Sequence, residues 1–192
     1  LENRTWANEA LIPTFPDYYN AFNGSFTIQT YLCTMLSFFA FGALVMLITF
    51  LLMEGVAWTA HKYVMHGFLW YLHEDHHLHD HYGFFEKNDF FFLIFAIPSW
   101  LFMMFGIMDG CDWKMWVGIG ILIYGLCYFW VHEVFIHQRF KFFRNSQNKY
   151  LLALRRAHKM HHKHLDKEEG ECFGMLWVPL KYFKKSYGSL EN

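Results

Sequence analysis

Hydrophobic and polar positions fall in long blocks along this chain, not in the short period of an amphipathic helix or strand. No charged residue stands between Asp17 and Glu54, and the middle of that gap, Tyr31 to Met53, is 23 residues of apolar and small side chains. At ~1.5 Å per residue such a stretch crosses the ~30 Å hydrocarbon layer of a bilayer. Two further uncharged blocks follow, Phe90 to Met108 (19 residues, with Pro98 inside) and Met115 to Val131 (17 residues), joined by the polar link Asp109 to Lys114. None carries the polar stripe that a helix packed on a soluble core would keep. The pattern predicts an all-α integral membrane protein with about three transmembrane helices: a membrane domain over residues 31–192, and a tail over residues 1–30 on the outer face.

Composition agrees with the pattern, because 55% hydrophobic and 22% aromatic content exceeds what a soluble chain of 192 residues usually carries. Charge adds orientation. Of the 16 Lys and Arg residues, 12 lie after Val131, from Arg139 to Lys185, and the positive-inside rule assigns that segment to the cytoplasm. Its basic excess suits anionic headgroups, so membrane lipid is an expected partner. A net charge of −1 gives no reason to expect nucleic acid. The four cysteines, Cys33, Cys111, Cys127 and Cys172, are scattered without a Cys-x-x-Cys pair, which indicates neither a disulfide framework nor a zinc ribbon.

The candidate chemistry lies in the histidines. Ten of the 13 form four clusters, His61/His66, His73/His76/His77, His132/His137 and His158/His161/His162. Three crossings put all four clusters on one side of the membrane, the cytoplasmic side by the charge argument. Neutral imidazole without cysteine partners favours iron, copper or zinc bound for chemistry over a structural zinc site, and ten ligands exceed what one ion uses. In each triple the spacing i, i+3, i+4 stacks the rings on one helix face. The members of each pair are five apart, about 140° round an α-helix, so they should serve two different metals or lie where the helix unwinds.

Two rival readings compete with a two-metal centre. His73-Glu74-Asp75-His76-His77 also satisfies His-Glu-x-x-His, the motif of a zinc metalloprotease with Glu74 as general base and His73 and His77 as ligands. That reading leaves the other clusters unused. A metal carrier should place ligands near the midplanes of its helices, and these midplanes hold none.

The series His-x4-His, His-x2-His-His, His-x4-His, His-x2-His-His resembles the membrane-bound fatty acid hydroxylase and desaturase superfamily. Within it, His61-Lys62-Tyr63-Val64-Met65-His66-Gly67, Phe85-Glu86-Lys87-Asn88-Asp89, Tyr124-Gly125-Leu126, His137-Gln138-Arg139, Ala157-His158-Lys159-Met160-His161-His162, Glu169-Gly170 and Phe173-Gly174 are similar to the bacterial β-carotene hydroxylase branch, over about Met53 to Pro179. Many of that branch have Asp-Gly where this chain has Glu133-Val134, and the added His79, His81 and His164 lie outside the ten matching positions.

The resemblance implies a non-haem di-iron monooxygenase of carotenoid biosynthesis in the bacterial inner membrane. It would hydroxylate the rings of β-carotene at C3 and C3′ to β-cryptoxanthin and zeaxanthin, with the ten clustered histidines holding two iron ions and O2 as co-substrate. Related carotenoids enter as further expected substrates. Electrons would come from an external donor, ferredoxin or a similar protein, because the chain has neither a dinucleotide fingerprint nor a cysteine cluster. Glu86, Asn88 and Asp89 are candidates to orient histidines from behind, or to cap a helix.

Overall fold

A computed structural model of the protein describes residues 28–78, 83–163, 167, 168 and 170–184. The described residues are helical or irregular, with no strand among them. Helix α1 (Ile28–Thr59) begins three residues before the apolar block expected from Tyr31 and runs past its end at Met53. Its hydroxyls turn back onto the helix: Thr34 Oγ1 donates to Thr30 O at 2.8 Å and Thr59 Oγ1 to Gly55 O at 2.8 Å. In lipid, where water offers no partner, that keeps the polar groups satisfied.

A π-helical segment, Ala60–Phe68, continues α1, breaks at Gly67 (φ −105°, ψ −121°) and leads into the short α2 (Trp70–Leu78). A 3₁₀ turn, Lys87–Phe91, then starts α3 (Phe92–Met108). Helix α4 (Trp113–Phe129) returns antiparallel to α3, with Asp112 at its N-cap accepting from Lys114 N at 2.9 Å, and passes into a second π-helical segment, Trp130–Ile136.

Three helical stretches, Ile28–Phe68, Lys87–Met108 and Trp113–Ile136, are long and apolar enough to cross a membrane. Only 11% of the most apolar window of the first is buried within the protein, as suits a helix that meets lipid. Helix α4 is the central member and packs on both α1 and α3. Close approach depends on small residues, as in many membrane bundles. A methyl group at Gly42 would enter the Trp116 ring, and one at Gly118 would meet Met103 and the carbonyl of Ser99. Beside the second contact, Ser99 Oγ donates to Gly118 O at 2.8 Å.

Helix α5 (Lys149–His161) is different in kind. Asn148 caps it, accepting from Tyr150 N and Leu151 N, and its buried face is Ala153, Leu154, Ala157, His158 and His161. Ala153 and Ala157 pack on Tyr182 of a last 3₁₀ turn, Leu180–Phe183. The expected tail, apart from residues 28–30, and His79, His81, His164 and Glu169 lie outside the described residues.

Candidate metal centre

The two π-helical segments decide where the histidine pairs point. A π-turn bonds residue i to i+5 and so stacks residues five apart on one side. His137 N donates to His132 O at 2.9 Å, and Leu69 N to Val64 O at 3.0 Å. Of the two expectations for the pairs, two metals or a place where the helix unwinds, the structure shows the second: the helix is widened there, and His61 and His66 face one point together, as do His132 and His137. The α-helical angle of 140° does not apply where the helix widens.

The triples behave in the opposite way and divide. His61, His66, His73 and His161 form a first group, and His76, His132, His137 and His158 a second, with the candidate ligand nitrogens of each group within 4.8 Å of one another. Within a triple the i, i+4 residues stay together, His73 with His77 (Nε2 to Nε2 3.2 Å) and His158 with His162 (2.8 Å). The i+3 residue, His76 or His161, belongs to the opposite group. The His77 and His162 rings stack on each other at 4.5 Å, which sets the two groups side by side. Eight of the ten rings, His61, His66, His73, His76, His77, His132, His158 and His161, are buried at 6% exposure or less, out of reach of bulk solvent.

Outer hydrogen bonds set the tautomers. His61 Nδ1 donates to Phe173 O (3.0 Å), His66 Nδ1 to Lys167 O (3.2 Å), His161 Nδ1 to Glu171 O (2.9 Å) and His73 Nδ1 to Asn88 Oδ1 (2.7 Å). In the second group His76 Nδ1 donates to Glu86 Oε2 (2.6 Å) and His132 Nδ1 to Glu133 Oε1 (2.5 Å). Carbonyl and carboxylate oxygens only accept, so the proton sits on Nδ1 and the Nε2 lone pair faces inward.

Inward lone pairs then lie 3.1 Å apart between His61 and His73, 3.2 Å between His66 and His161, and 3.3 Å between His76 and His132. Two lone pairs cannot hydrogen-bond each other, and a shared cation is what makes such an arrangement favourable. Nitrogens bound at ~2.0–2.1 Å to one ion stand roughly 2.8–3.4 Å apart, the spacing seen here. Burial keeps the rings neutral, as a ligand must be: it holds His73, His76 and His158 well below the ordinary imidazole pKa. His161 is pushed down to about 3, by burial first and then by His77 and His66.

Behind the second group stands a charged network. Arg139 meets Glu86 Oε1 at 3.1 Å, Glu133 Oε2 at 2.8 Å and Asp89 Oδ1 at 2.9 Å. Asp89 bonds to no histidine among the described residues; it accepts from Glu86 N at 3.0 Å and so caps the 3₁₀ turn. Behind the first group the segment from Gly170 to Trp177 acts as a strap, and its Glu171 and Phe173 carbonyls, with that of Lys167, take three of the four Nδ1 protons. Glu54 holds that strap: its Oε1 accepts from Met175 N, Leu176 N and Trp177 N, each at 2.9 Å, and its Oε2 from Tyr124 Oη at 2.8 Å.

Sequence reasoning missed Glu133, Arg139, Glu54 and the three backbone carbonyls. Glu133 adjoins His132 and Arg139 follows His137 by two, so adjacency was a usable signal for both. Backbone carbonyls leave none. Glu74, the base that a protease requires, is exposed, and His73 and His77 sit among other histidines, so the arrangement gives the zinc protease no support.

The fatty acid hydroxylase family profile matches residues 46–182. A protein of Pantoea ananas named beta-carotene hydroxylase is 41% identical over 71% of this chain and 77% of its own length. One of the same name from Pseudescherichia vulneris is 36% identical over 71% and 76% respectively. Beta-carotene hydroxylase 1, chloroplastic, of Capsicum annuum is 33% identical over 66% of this chain and 40% of its own. No solved structure matches the chain.

Proposed function

The chain belongs to the fatty acid hydroxylase family, and we propose that it is a non-haem di-iron monooxygenase hydroxylating the rings of β-carotene at C3 and C3′, to β-cryptoxanthin and then zeaxanthin. The observation that carries this reading is the pair of histidine groups with their Nε2 lone pairs turned inward. His61, His66, His73, His77 and His161 would hold one iron, and His76, His132, His137, His158 and His162 the other. Hydroxylation of an unactivated C–H bond consumes O2, two electrons and two protons and gives the alcohol and water; iron supplies the reduction of O2.

The protein's own part is positional. Six Nδ1–H groups are anchored from behind, which holds the imidazoles in register before metal arrives and lowers the cost of assembling the centre. The histidine groups lie where α1 and α4 end, so a ring of a lipid-dissolved carotenoid approaches them along the helices without leaving an apolar environment. All four cysteines are free thiols, and an external donor such as ferredoxin would deliver the electrons. The basic residues after Val131 favour a bacterial inner-membrane protein with this end in the cytoplasm.

Expression in cells that accumulate β-carotene, followed by pigment chromatography, tests the proposal. Appearance of β-cryptoxanthin and zeaxanthin is the expected result. An unchanged β-carotene peak with the protein present in the membrane would refute it.

A further inference from the structure

The two histidine groups have the same inner composition and different outer partners. In the first, all four Nδ1 protons go to neutral acceptors: the carbonyls of Phe173, Lys167 and Glu171 and the Asn88 amide. In the second, His76 and His132 give theirs to the carboxylates of Glu86 and Glu133. Those carboxylates are joined, with that of Asp89, on the guanidinium of Arg139. Glu86 and Glu133 are nearly buried, with side-chain exposures of 7% and 11%, and their charges are poorly screened by water.

We propose that the two metal sites are unequal, and that the second group, His76, His132, His137 and His158, binds a divalent first-row metal more tightly and fills first. This rests on the two-metal reading above. A carboxylate that accepts from Nδ1–H makes the imidazole a stronger donor at Nε2, and its charge also attracts the cation directly. A peptide carbonyl or amide does the first weakly and the second not at all. Arg139 is the positioning residue of this device: it holds Glu86 and Glu133 at the backs of their two histidines, which come from α2 and from the π-helical end of α4. Asn88 is the neutral counterpart, placed behind His73 by the same 3₁₀ turn whose N-cap is Glu86.

The test is a titration of the metal-free, detergent-solubilised full chain with Co2+ alone, followed by its visible absorption against a competing chelator. The unmodified protein should take up two Co2+ in separate steps, the first at least about tenfold tighter. Glu133→Gln keeps an acceptor for His132 and removes the charge; it should weaken the tighter step by about 10- to 100-fold and leave the weaker one in place. Asn88→Asp adds a carboxylate behind His73 and should tighten the weaker step. His137→Ala should remove the tighter step and His66→Ala the weaker. Two equal steps in the unmodified protein, equal weakening of both by Glu133→Gln, or loss of the tighter step in His66→Ala would overturn the assignment. Uptake of a single Co2+ per chain would instead overturn the two-metal reading beneath it.

Discussion

Tyr124 of α4 donates its hydroxyl to Glu54 of α1 at 2.8 Å, and this one bond ties the central helix to the carboxylate that holds the C-terminal strap. Through that strap the bond reaches the metal centre, because Phe173 O, two residues before Met175, accepts from His61 Nδ1. Gly174 permits the approach; a methyl group there would meet Glu54 Oε1.

Glu54→Ala leaves three strap N–H groups without their acceptor and should cost on the order of 3 kcal/mol, while Tyr124→Phe loses a single charge-assisted bond, about 2 kcal/mol. Glu54→Gln retains an acceptor and should fall between unmodified protein and Glu54→Ala. Thermal unfolding in detergent gives the ranking, and iron content should fall with it. Full iron and an unchanged melting temperature in Glu54→Ala would remove the clasp from the account of the site.

The three apolar blocks were legible because a bilayer demands an uninterrupted run of apolar side chains, a signal that each block carries by itself. Their ends were not. Glu54 looked like the close of the first helix, yet α1 passes through it, since N–H groups from residues 175–177 satisfy the charge. For the His61/His66 and His132/His137 pairs the spacing left two metals or an unwound helix open, because α-helical periodicity says nothing of a π-turn. Arg139 pairs with Asp89, 50 residues earlier in the chain, and its side chain gives no local hint of that.

Stability of the metal-free protein should fall as pH is lowered. Above pH 6.5, the ordinary imidazole value, both folded and unfolded chains are neutral at His73, His76, His158 and His161. Below it the unfolded chain takes up protons that the buried rings refuse, until the folded value is reached, about 3 for His161. The melting temperature of metal-free protein should therefore be lower at pH 5 than at pH 7.5. Equal values would mean that these rings are hydrated or charged in the fold.

Glu74→Gln separates the hydroxylase from the protease. Glu74 is exposed, outside both histidine groups, so its loss should leave pigment hydroxylation and metal content close to those of the unmodified protein. Abolished activity with full metal content would point to a general base at this position.

Topology can be read with two fusions. A reporter after Asn192 should behave as cytoplasmic and one inserted at Gly110, in the link between α3 and α4, as exported, because three helical stretches among the described residues are long and apolar enough to cross a membrane and the basic residues cluster after Val131. The reverse pattern would place the histidine groups on the outer face, away from soluble electron donors.

Alanine variants of all 13 histidines test the ligand set, and the split triples make the expectation specific. His158→Ala and His161→Ala lie three residues apart on α5, yet they should deplete different metals, since His158 faces His132 and His137 while His161 faces His61 and His66. Each of the ten variants should abolish zeaxanthin formation and lower bound iron, because even a lost outer partner costs roughly 10- to 100-fold in affinity. His79→Ala, His81→Ala and His164→Ala should keep both pigment conversion and iron. If His158→Ala and His161→Ala removed the same iron, as judged by which one remains spectroscopically, the grouping would be wrong. Dependence on His79 or His81 equal to that on the ten would extend the ligand set beyond the four clusters.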